Sequence, residues 1–471
     1  MWELIRANKK KSILLFIFMG AILILLGYVI GEAYLPGKGG FNGIFIALII
    51  WVIWSMIGYF NGSSILLSLS RAKEVTHNIH PQLFNVVSEM KIAANLPAMP
   101  KIYIINEESP NAFATGRKPE KSAIAVTAGL LNRLNRNELQ GVIAHEMSHI
   151  LNRDILYMTF AGVMLGTVVM ISQLFLRGLW YSGGSAARYR SKRSNKNGGG
   201  AMMIIAIVLA ILAPILTKLF YFAISRKREY LADATAARLT RYPEGLASAL
   251  EKISSSNIKF STANNITASM YIVNPLKKKG RSLTSLFSTH PPIKERIKIL
   301  RNMSHGVNYT NYQSAFRMVT GKGIIPISGL KDSKNIPVKE PSKDTSAKLS
   351  VKEKRREFGD LIRAVNGFVF VTCVCGLKIK LPPNFKGSEI VCPRCKRTIQ
   401  VPLAKIAAVA SAITVGEDLK ETPILKPQKY IRKGKIWETV TCSCGNHIQI
   451  SPSFMGSKIQ CKKCKRIIKI L

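Results

Sequence analysis

The 471-residue sequence has few acidic residues, with 26 Asp and Glu against 68 Lys and Arg. The formal charge of +42 suits a polyanionic partner, either the anionic face of a membrane or a nucleic acid. The charge does not choose between these two partners, and many of the basic residues can equally form a solvated surface.

Cysteine is missing from the first 370 residues, and all eight cysteines lie in the remaining tail. This absence excludes disulfide bonds from the larger part of the chain. The pattern of the tail cysteines fits metal ligation better than disulfides, which indicates a reducing compartment. A chain of this length can hold a catalytic domain and one or two small modules, so a single core is not expected.

Apolar residues are concentrated in four long runs, at residues 13–30, 44–60, 155–176 and 202–222. Each run is near the ~20 residues that span a bilayer. A cleaved signal peptide fits the first run less well, because no clean cleavage site follows it and the second run comes after a short loop. We therefore predict a transmembrane hairpin over residues 1–62. Basic residues before it, and Arg71 and Lys73 after it, predict cytoplasmic flanks.

The second pair of runs carries a charge conflict. The loop between them contains six basic residues and no acid: Arg177, Arg188, Arg190, Lys192, Arg193 and Lys196. Such a loop should stay on the cytoplasmic side. The pair therefore either spans the bilayer, or is re-entrant or lies against the membrane.

Residues 101–127 predict three short strands separated by turn-forming residues. A helix follows, and its start is indicated by a capping box of Asn135 and Glu138.

Within this helix, His145 and His149 lie one turn apart on a shared face, opposite an apolar stripe. Two imidazoles at this spacing can reach one tetrahedral Zn²⁺ and leave a position for water. Glu146 can accept a proton from that water as the water attacks a carbonyl. The alternative is a chance pattern on a helix.

A third ligand is required, and the helix after the fourth apolar run offers Glu229 and Asp233, again one turn apart. One carboxylate can bind zinc while the other orients a histidine through its free N–H. The competing interpretation is an ordinary ion pair between Glu229 and Arg226 or Arg228.

Four segments resemble the HtpX family of membrane zinc endopeptidases, which are gluzincins related to the CAAX prenyl proteases. The segments are PNAFATG, HEMSHILNRD, SRKREYLADA and STHPPIKERIKIL, in the family's order. The resemblance extends from the N-terminal hairpin to about residue 300. It implies an α-helical membrane protein with an α+β zincin-type catalytic domain at residues 63–315, interrupted by the apolar hairpin 155–222.

By this resemblance His145, His149 and Glu229 would bind the catalytic zinc, and Glu146 would be the general base. Asp233 would orient one of the ligands.

The resemblance also implies roles around the substrate. Asn111 and Ala112 would belong to an edge strand that pairs with the extended substrate backbone. His290 and Arg296 would donate to the developing oxyanion. The alternative for His290 is a surface residue before a helix that starts at two prolines.

The tail contains a duplicated cysteine pattern after a polar segment, residues 316–366, for which we predict a flexible linker. The two copies are Cys373, Cys375, Cys392, Cys395 and, 69 residues later, Cys442, Cys444, Cys461, Cys464. Each copy can hold a structural zinc with four thiolates, and the metal would supply much of the folding energy of so small a module. We predict two small β zinc ribbons, at residues 367–402 and 437–471, joined by a linker at 403–436. The family resemblance does not cover this tail.

These observations predict a zinc endopeptidase with one catalytic and two structural zinc ions. We expect a multi-pass protein of the inner (plasma) membrane that cleaves membrane or misfolded proteins on the cytoplasmic side. The alternative is a membrane-tethered protein whose ribbons bind nucleic acid or a protein partner, through basic residues Lys462, Lys463, Lys465 and Arg466, although aromatic residues for base stacking are sparse. Both functions can coexist. A prenyl-protein protease is disfavoured because those proteins have more spans than the four runs provide.

Overall fold

The computed structural model describes residues 2–181, 199–258, 260–261, 270–273, 290–303, 306–325, 330, 336–341, 350–401, 428–430, 434, 438–442, 447–452, 458–461 and 467–470. The chain forms two compact units, Met1–Phe368 and Val369–Leu471.

The first unit contains eleven α-helices and four strands among the described residues. In chain order they are α1 (Trp2–Tyr34), α2 (Gly39–Leu69), β1 (Ala72–Glu74), α3 (Pro81–Ala93), β2 (Lys101–Ile105), β3 (Ala112–Lys118), β4 (Lys121–Thr127), α4 (Ala128–Arg133), α5 (Arg136–Leu151), α6 (Asp154–Tyr181), α7 (Gly199–Thr240), α8 (Pro243–Ser255), α9 (Ile293–Arg301), α10 (Tyr309–Thr320) and α11 (Val351–Val365).

Among the described residues, three helical segments are long and apolar enough to cross a membrane: Phe16–Tyr34, Gly39–Leu69 and Asp154–Trp180. The described part of the fourth apolar run contributes the shorter segment Ala201–Thr217. Leu26, Phe175 and Ala206 share one buried cluster, so α1, α6 and α7 pack together. Of the basic loop between the third and fourth runs, residues 182–198 lie outside the described residues.

The catalytic part is built on a four-stranded sheet with strand order β1-β2-β4-β3. β2 and β4 are parallel, whereas β1 and β3 pair antiparallel to their neighbours. The three strands predicted between residues 101 and 127 are therefore confirmed. β3 forms an edge of the sheet and faces α5.

α5 starts at the predicted capping box, in which the Asn135 side chain accepts from the Glu138 N–H and the Glu138 carboxylate accepts from the Asn135 N–H. Every residue from Glu138 to Ile150 is buried, although the sequence pattern indicated only one apolar face. The second face is covered because α8 approaches α5 closely at Gly141: a Cβ there would lie 2.6 Å from the Leu246 nitrogen. The polar side chains of α5 therefore lie inside the protein, where they need buried partners.

α7 is one continuous helix of 42 residues that carries both the fourth apolar run and the acidic positions 229 and 233. The last residue of that run, Phe222, precedes Glu229 by 7 positions, or about 10 Å along the helix axis. A rigid helix thus connects the apolar segment to the polar interior of the catalytic part.

α11 lies inside the segment 316–366, for which we predicted a flexible linker, so that prediction is wrong for α11. Its start is fixed by a second capping box, between Ser350 and Glu353. Leu361 and Val365 pack against the main core. The few apolar residues of this segment fall on one helical face, and burial of that face orders it. Residues 331–335 and 342–349 lie outside the described residues.

The second unit consists of short strands. They are β5 (Val369–Thr372), β6 (Lys378–Leu381), β7 (Glu389–Val391), β8 (Thr398–Gln400), β9 (Gln428–Tyr430), β10 (Glu438–Thr441), β11 (His447–Ile450), β12 (Lys458–Gln460) and β13 (Ile467–Ile470). Antiparallel pairs form between β5 and β6, β7 and β8, β10 and β11, and β12 and β13. Most of the predicted linker 403–436 and the basic residues 462, 463, 465 and 466 lie outside the described residues.

Candidate metal centre

Two helices of the first unit bring three potential metal ligands together: His145 and His149 from α5, and Glu229 from α7. Their ligand atoms all lie within 4.8 Å of one another, and all three residues are buried. His145 Nε2 is 3.6 Å from one Glu229 oxygen, and His149 Nε2 is 3.5 Å from the other. Bonds of ~2.1 Å to a tetrahedral zinc require ligand atoms about 3.4 Å apart. The donor set therefore fits Zn²⁺ in type and spacing.

Each histidine has a carboxylate behind its other ring nitrogen. His145 Nδ1 lies 3.0 Å from Asp233, and His149 Nδ1 lies 3.3 Å from Asp154. Such carboxylates fix the tautomer that leaves Nε2 available for a metal. Asp233 was predicted in this position, whereas sequence reasoning missed Asp154. A signal existed, because Asp154 opens the third apolar run close to the ligand pair, and a buried acid there needs a polar partner.

Arg228, one of the two arginines in the competing interpretation, contacts Asp154 instead of Glu229. Its Nη1 lies 3.6 Å from Asp154, and its guanidinium carbon lies 3.4 Å from the centre of the Tyr157 ring. Arg228 therefore places positive charge beside the carboxylate that supports His149.

His290 and Arg296 both reach the same centre. The His290 Nδ1 lies 2.8 Å from Glu229, and the side chain is buried, not on the surface. Arg296 is fully buried and donates from Nε and Nη2 to the two oxygens of Asp233, at 2.8 and 2.7 Å. Its Nη1 lies 3.4 Å from Glu229. Arg296 thus contacts carboxylates of the centre, which differs from the predicted role as an oxyanion donor.

Glu146 lies between the metal-binding histidines and the edge of the sheet. Its side chain is buried and accepts a hydrogen bond from the Ala114 N–H of β3. Burial raises the pKa of Glu146, the Glu229 charge adds to that effect, and the two histidines oppose it. A carboxylate in this environment is a stronger base than one in water.

The charges of the centre indicate a cation. Burial works against a charged imidazole, yet Asp154 and Glu229 outweigh it and raise the pKa of His149 to about 10. Asp233 and Glu229 likewise raise the pKa of His145 against the effect of burial. The pocket therefore attracts positive charge at the histidine nitrogens, and a divalent cation bound there would supply that charge.

The predicted substrate contacts Asn111 and Ala112 are engaged by another part of the chain. The Asn111 amide donates to the Val273 carbonyl at 2.7 Å, and the Ile272 N–H donates to the Ala112 carbonyl at 3.0 Å. Residues 270–272 are buried at this edge. The segment 270–273 thus occupies the side-chain amide of Asn111 and the backbone carbonyl of Ala112, at the edge that we expected a substrate to use.

A second potential metal centre lies in the second unit, where Cys373, Cys375, Cys392 and Cys395 lie within 4.8 Å of one another as free thiols. The Cys373–Cys395 and Cys375–Cys392 sulfur atoms are 3.4 and 3.6 Å apart. Backbone N–H groups at positions 395 and 394 favour the thiolate and lower the pKa of Cys392 to about 6. Four thiolates at this spacing suit a tetrahedral structural zinc.

The second cysteine set is described only in part. Cys442 and Cys461 are buried in one cluster with Val440, Ile450 and Ile468, whereas residues 444 and 464 lie outside the described residues.

The HExxH pair on α5, the glutamate on a second helix and the edge strand beside Glu146 define a zinc metallopeptidase of the gluzincin class. The apolar helices of the same unit make it a membrane protein.

The matching family model and the sequence relatives agree with this class. Residues 78–304 match Peptidase family M48. A Protease HtpX homolog from Dictyoglomus turgidum is 45% identical over 302 residues, covering 64% of this chain and 94% of the relative. Another, from Caldanaerobacter subterraneus subsp. tengcongensis, is 42% identical over 304 residues, covering 64% and 98%. The crystal structure of S. mikatae Ste24p aligns with a TM-score of 0.35 and 20% identity, covering 64% of this chain and 67% of that one.

The chain belongs to the HtpX protease family within peptidase family M48. The predicted fold class and the predicted activity, a membrane zinc metalloprotease, are confirmed.

Proposed function

We propose that the protein is an endopeptidase of the plasma membrane that cleaves membrane or misfolded proteins on their cytoplasmic side. The position of Glu229 supports this proposal most directly, because Glu229 lies about 10 Å along the same helix from the end of the apolar run at Phe222. A site so close to the bilayer can reach polypeptide segments that emerge from it. Arg71 and Lys73 after α2 favour a cytoplasmic orientation.

Zinc held by His145, His149 and Glu229 would supply a Lewis acid for the scissile carbonyl and would lower the pKa of a bound water. Glu146 accepts the proton of the attacking water. It then delivers that proton to the departing amine, which is the usual double role of a general base in this class of site.

His290 is the candidate donor to the oxyanion. Its Nδ1 contacts Glu229, while its Nε2 is buried with no hydrogen-bond partner among the described residues. When the imidazole carries two protons, Nδ1–H donates to Glu229 and Nε2–H is left for a negative charge that develops during the reaction. Arg296 acts as a positioning residue, since it holds the Asp233 carboxylate against His145 and also approaches Glu229.

We further propose that the substrate backbone pairs with the edge of β3 around Asn111 and Ala112, in place of the segment 270–273. The Asn111 carbonyl accepts from Thr127 of β4. Because backbone groups alternate in direction along a strand, those of Ala112 and Ala114 point away from β4. The Ala114 N–H reaches Glu146, whereas the Ala112 carbonyl is held by the Ile272 N–H. Pairing by backbone amides recognises an extended chain with little regard to its sequence.

The protein should hold three zinc ions, one catalytic and two in the cysteine sets. Elemental analysis of the purified chain should give three equivalents. Glu229→Gln should remove one, and Cys392→Ser should remove another. One equivalent in the unmodified chain would overturn the assignment of the cysteine sets.

The decisive test uses the purified protein in proteoliposomes with a reporter membrane protein that has one flexible loop on each side of the bilayer. We expect cleavage only in the loop on the same side of the bilayer as the second unit. An antibody to a C-terminal tag locates the second unit, and mass spectrometry maps the fragments. Glu146→Gln is the inactive control. Cleavage of only the opposite loop, or in the Glu146→Gln control, would contradict the proposal.

A further inference from the structure

A cavity of about 490 Å³ lies where α2 meets the β3–β4 hairpin and the start of α6. Tyr59 and Phe60 of α2 line one side, and Arg117 and Lys121 of the hairpin line another. Ser63, one turn further along α2, also lines it. Its size is within the range of pockets that hold small molecules. No described residue of the two metal centres lines it.

The cavity lies at the depth expected for lipid headgroups. An exposed apolar stripe on α2 runs from Phe41 to Phe60, which are 78% and 58% exposed. The stripe is about 28 Å long at 1.5 Å per residue, close to the ~30 Å thickness of the hydrocarbon layer. Asn61 follows it and is exposed. Tyr59 and Phe60 therefore occupy the position of an interfacial aromatic belt.

Positive charge faces this interface. The Arg117 guanidinium lies 5.7 Å from the centre of the Tyr59 ring and 5.5 Å from that of Phe60. Lys101 also lines the cavity but is paired with Glu74 at 3.1 Å.

Glu120 is the acid in the lining. Counting Lys101 and its partner as neutral, Arg117 and Lys121 leave the lining with a net positive charge. Such a lining selects an anion.

We propose that this cavity binds the phosphate group of an anionic phospholipid. Arg117 would hold two phosphate oxygens through its planar fork, Lys121 would add a second charge, and Ser63 would donate a hydroxyl. The acyl chains would lie along the exposed stripe at Ile53 and Met56, which are 50% and 57% exposed. This continuity with the lipid-facing stripe favours a lipid over a free phosphate ion.

The test is native mass spectrometry of the full chain in detergent with equal amounts of phosphatidylglycerol and phosphatidylcholine. We expect selective retention of phosphatidylglycerol. The double variant Arg117→Gln, Lys121→Gln should lower that retention about tenfold. The matched control is Lys118→Gln, Arg133→Gln, which removes the same charge from exposed positions outside the cavity. Circular dichroism verifies that both double variants are folded.

Equal losses in the two double variants would indicate diffuse surface attraction and would overturn the site. Equal retention of the two lipids would do the same. Displacement of the lipid by millimolar inorganic phosphate would show that a soluble phosphate is the ligand, which would overturn the lipid assignment.

An independent observation concerns residues 270–273, which hold the Asn111 and Ala112 groups of β3. Tyr271 anchors this segment, with its ring 5.1 Å from Phe113 and 4.8 Å from Phe260, centre to centre. We infer that the segment competes with substrate for the edge of β3, so that cleavage requires its displacement. This inference rests on the proposed function.

Tyr271→Ala should loosen the segment and raise kcat/KM for a quenched fluorescent peptide several-fold. Phe316→Ala, a buried aromatic residue in the main core, is the control for general destabilisation and should not raise it. A synthetic peptide of residues 268–274 should inhibit the wild-type enzyme competitively.

Failure of the proposed competition and failure of the proposed catalytic function give different results. An active wild-type enzyme with neither inhibition by the peptide nor activation by Tyr271→Ala would overturn only the competition. Cleavage that persists in the Glu146→Gln variant would overturn the proposed catalysis instead.

Discussion

The two metal centres are built in opposite ways. The ligands of the first come from two helices, with the donors at 145 and 149 separated in sequence from Glu229 by the apolar hairpin. They lie in a core of more than forty buried residues. The ligands of the second lie within 23 residues of one another, and the described hydrophobic cluster beside them contains only Leu381 and Val401 as buried members. The fold of the first unit therefore positions the ligands of the first site. In the second site the bound metal must instead stabilise the fold of the small module around it.

Metal removal should separate the two regions most strongly. In a module with so small a core, zinc binding supplies most of the folding free energy, about 10 kcal/mol or more. We expect a chelator to unfold residues 369–401 while the first unit keeps its helices and loses only activity. Hydrogen exchange followed by mass spectrometry would resolve the two regions. Protection of residues 369–401 that survives chelation would contradict the contrast.

The next largest effect isolates chemistry from metal binding in the first centre. Glu146→Gln keeps the shape of the side chain but removes the base, so the turnover rate should fall about 10³-fold. The zinc content and the melting temperature should stay near those of the wild type. Glu251→Gln, at an exposed position on α8, is the control and should be fully active. Loss of zinc from Glu146→Gln would mean that Glu146 has a role in the ligand set.

These effects concern residues that local sequence patterns predicted well. The residues of the HExxH motif, of the capping box and of each cysteine set lie close together in the sequence. Their geometry depends mainly on helix periodicity and turn chemistry. The structure places the HExxH pair, the capping box and the first cysteine set in the expected local conformation.

Contacts between distant segments were not predictable in the same way. The pairing of Arg296 with Asp233 and the occupation of Asn111 by Val273 depend on how elements pack, and no periodicity records that packing. Asp154 lies only five residues from His149, and its place at the start of the third apolar run was a readable signal. The helix α11 is a different case, because its capping box was readable, but the polar composition around it concealed four apolar residues on one face.

Arg296 tests whether the first centre is organised before metal binds. The guanidinium is fully buried and neutralises Asp233. Arg296→Gln would leave a buried carboxylate without its main cationic partner, which typically costs about 3–5 kcal/mol of stability. Urea unfolding of the chelated protein should detect this loss. Arg301→Gln, which breaks an exposed ion pair with Glu244, should cost under about 1 kcal/mol. Equal losses for the two variants would show that the buried pair is not what holds the metal-free centre.

Substitution of Asp154 should have the smallest effect of these variants. It compares how the ligands are supported in the first centre and in the cysteine centre. The thiolates of that centre are supported by backbone N–H groups, which a side-chain substitution cannot remove. His149 depends instead on the side chain of Asp154, 3.3 Å from its Nδ1. Asp154→Asn keeps the volume but removes the charge, so zinc affinity at the first centre should fall about 10–100-fold. Competition with a fluorescent zinc chelator should show weaker binding at one site and unchanged binding at the cysteine sets. A variant with full affinity at all sites would mean that α5 alone orients His149, and that the first centre needs no carboxylate behind that ligand.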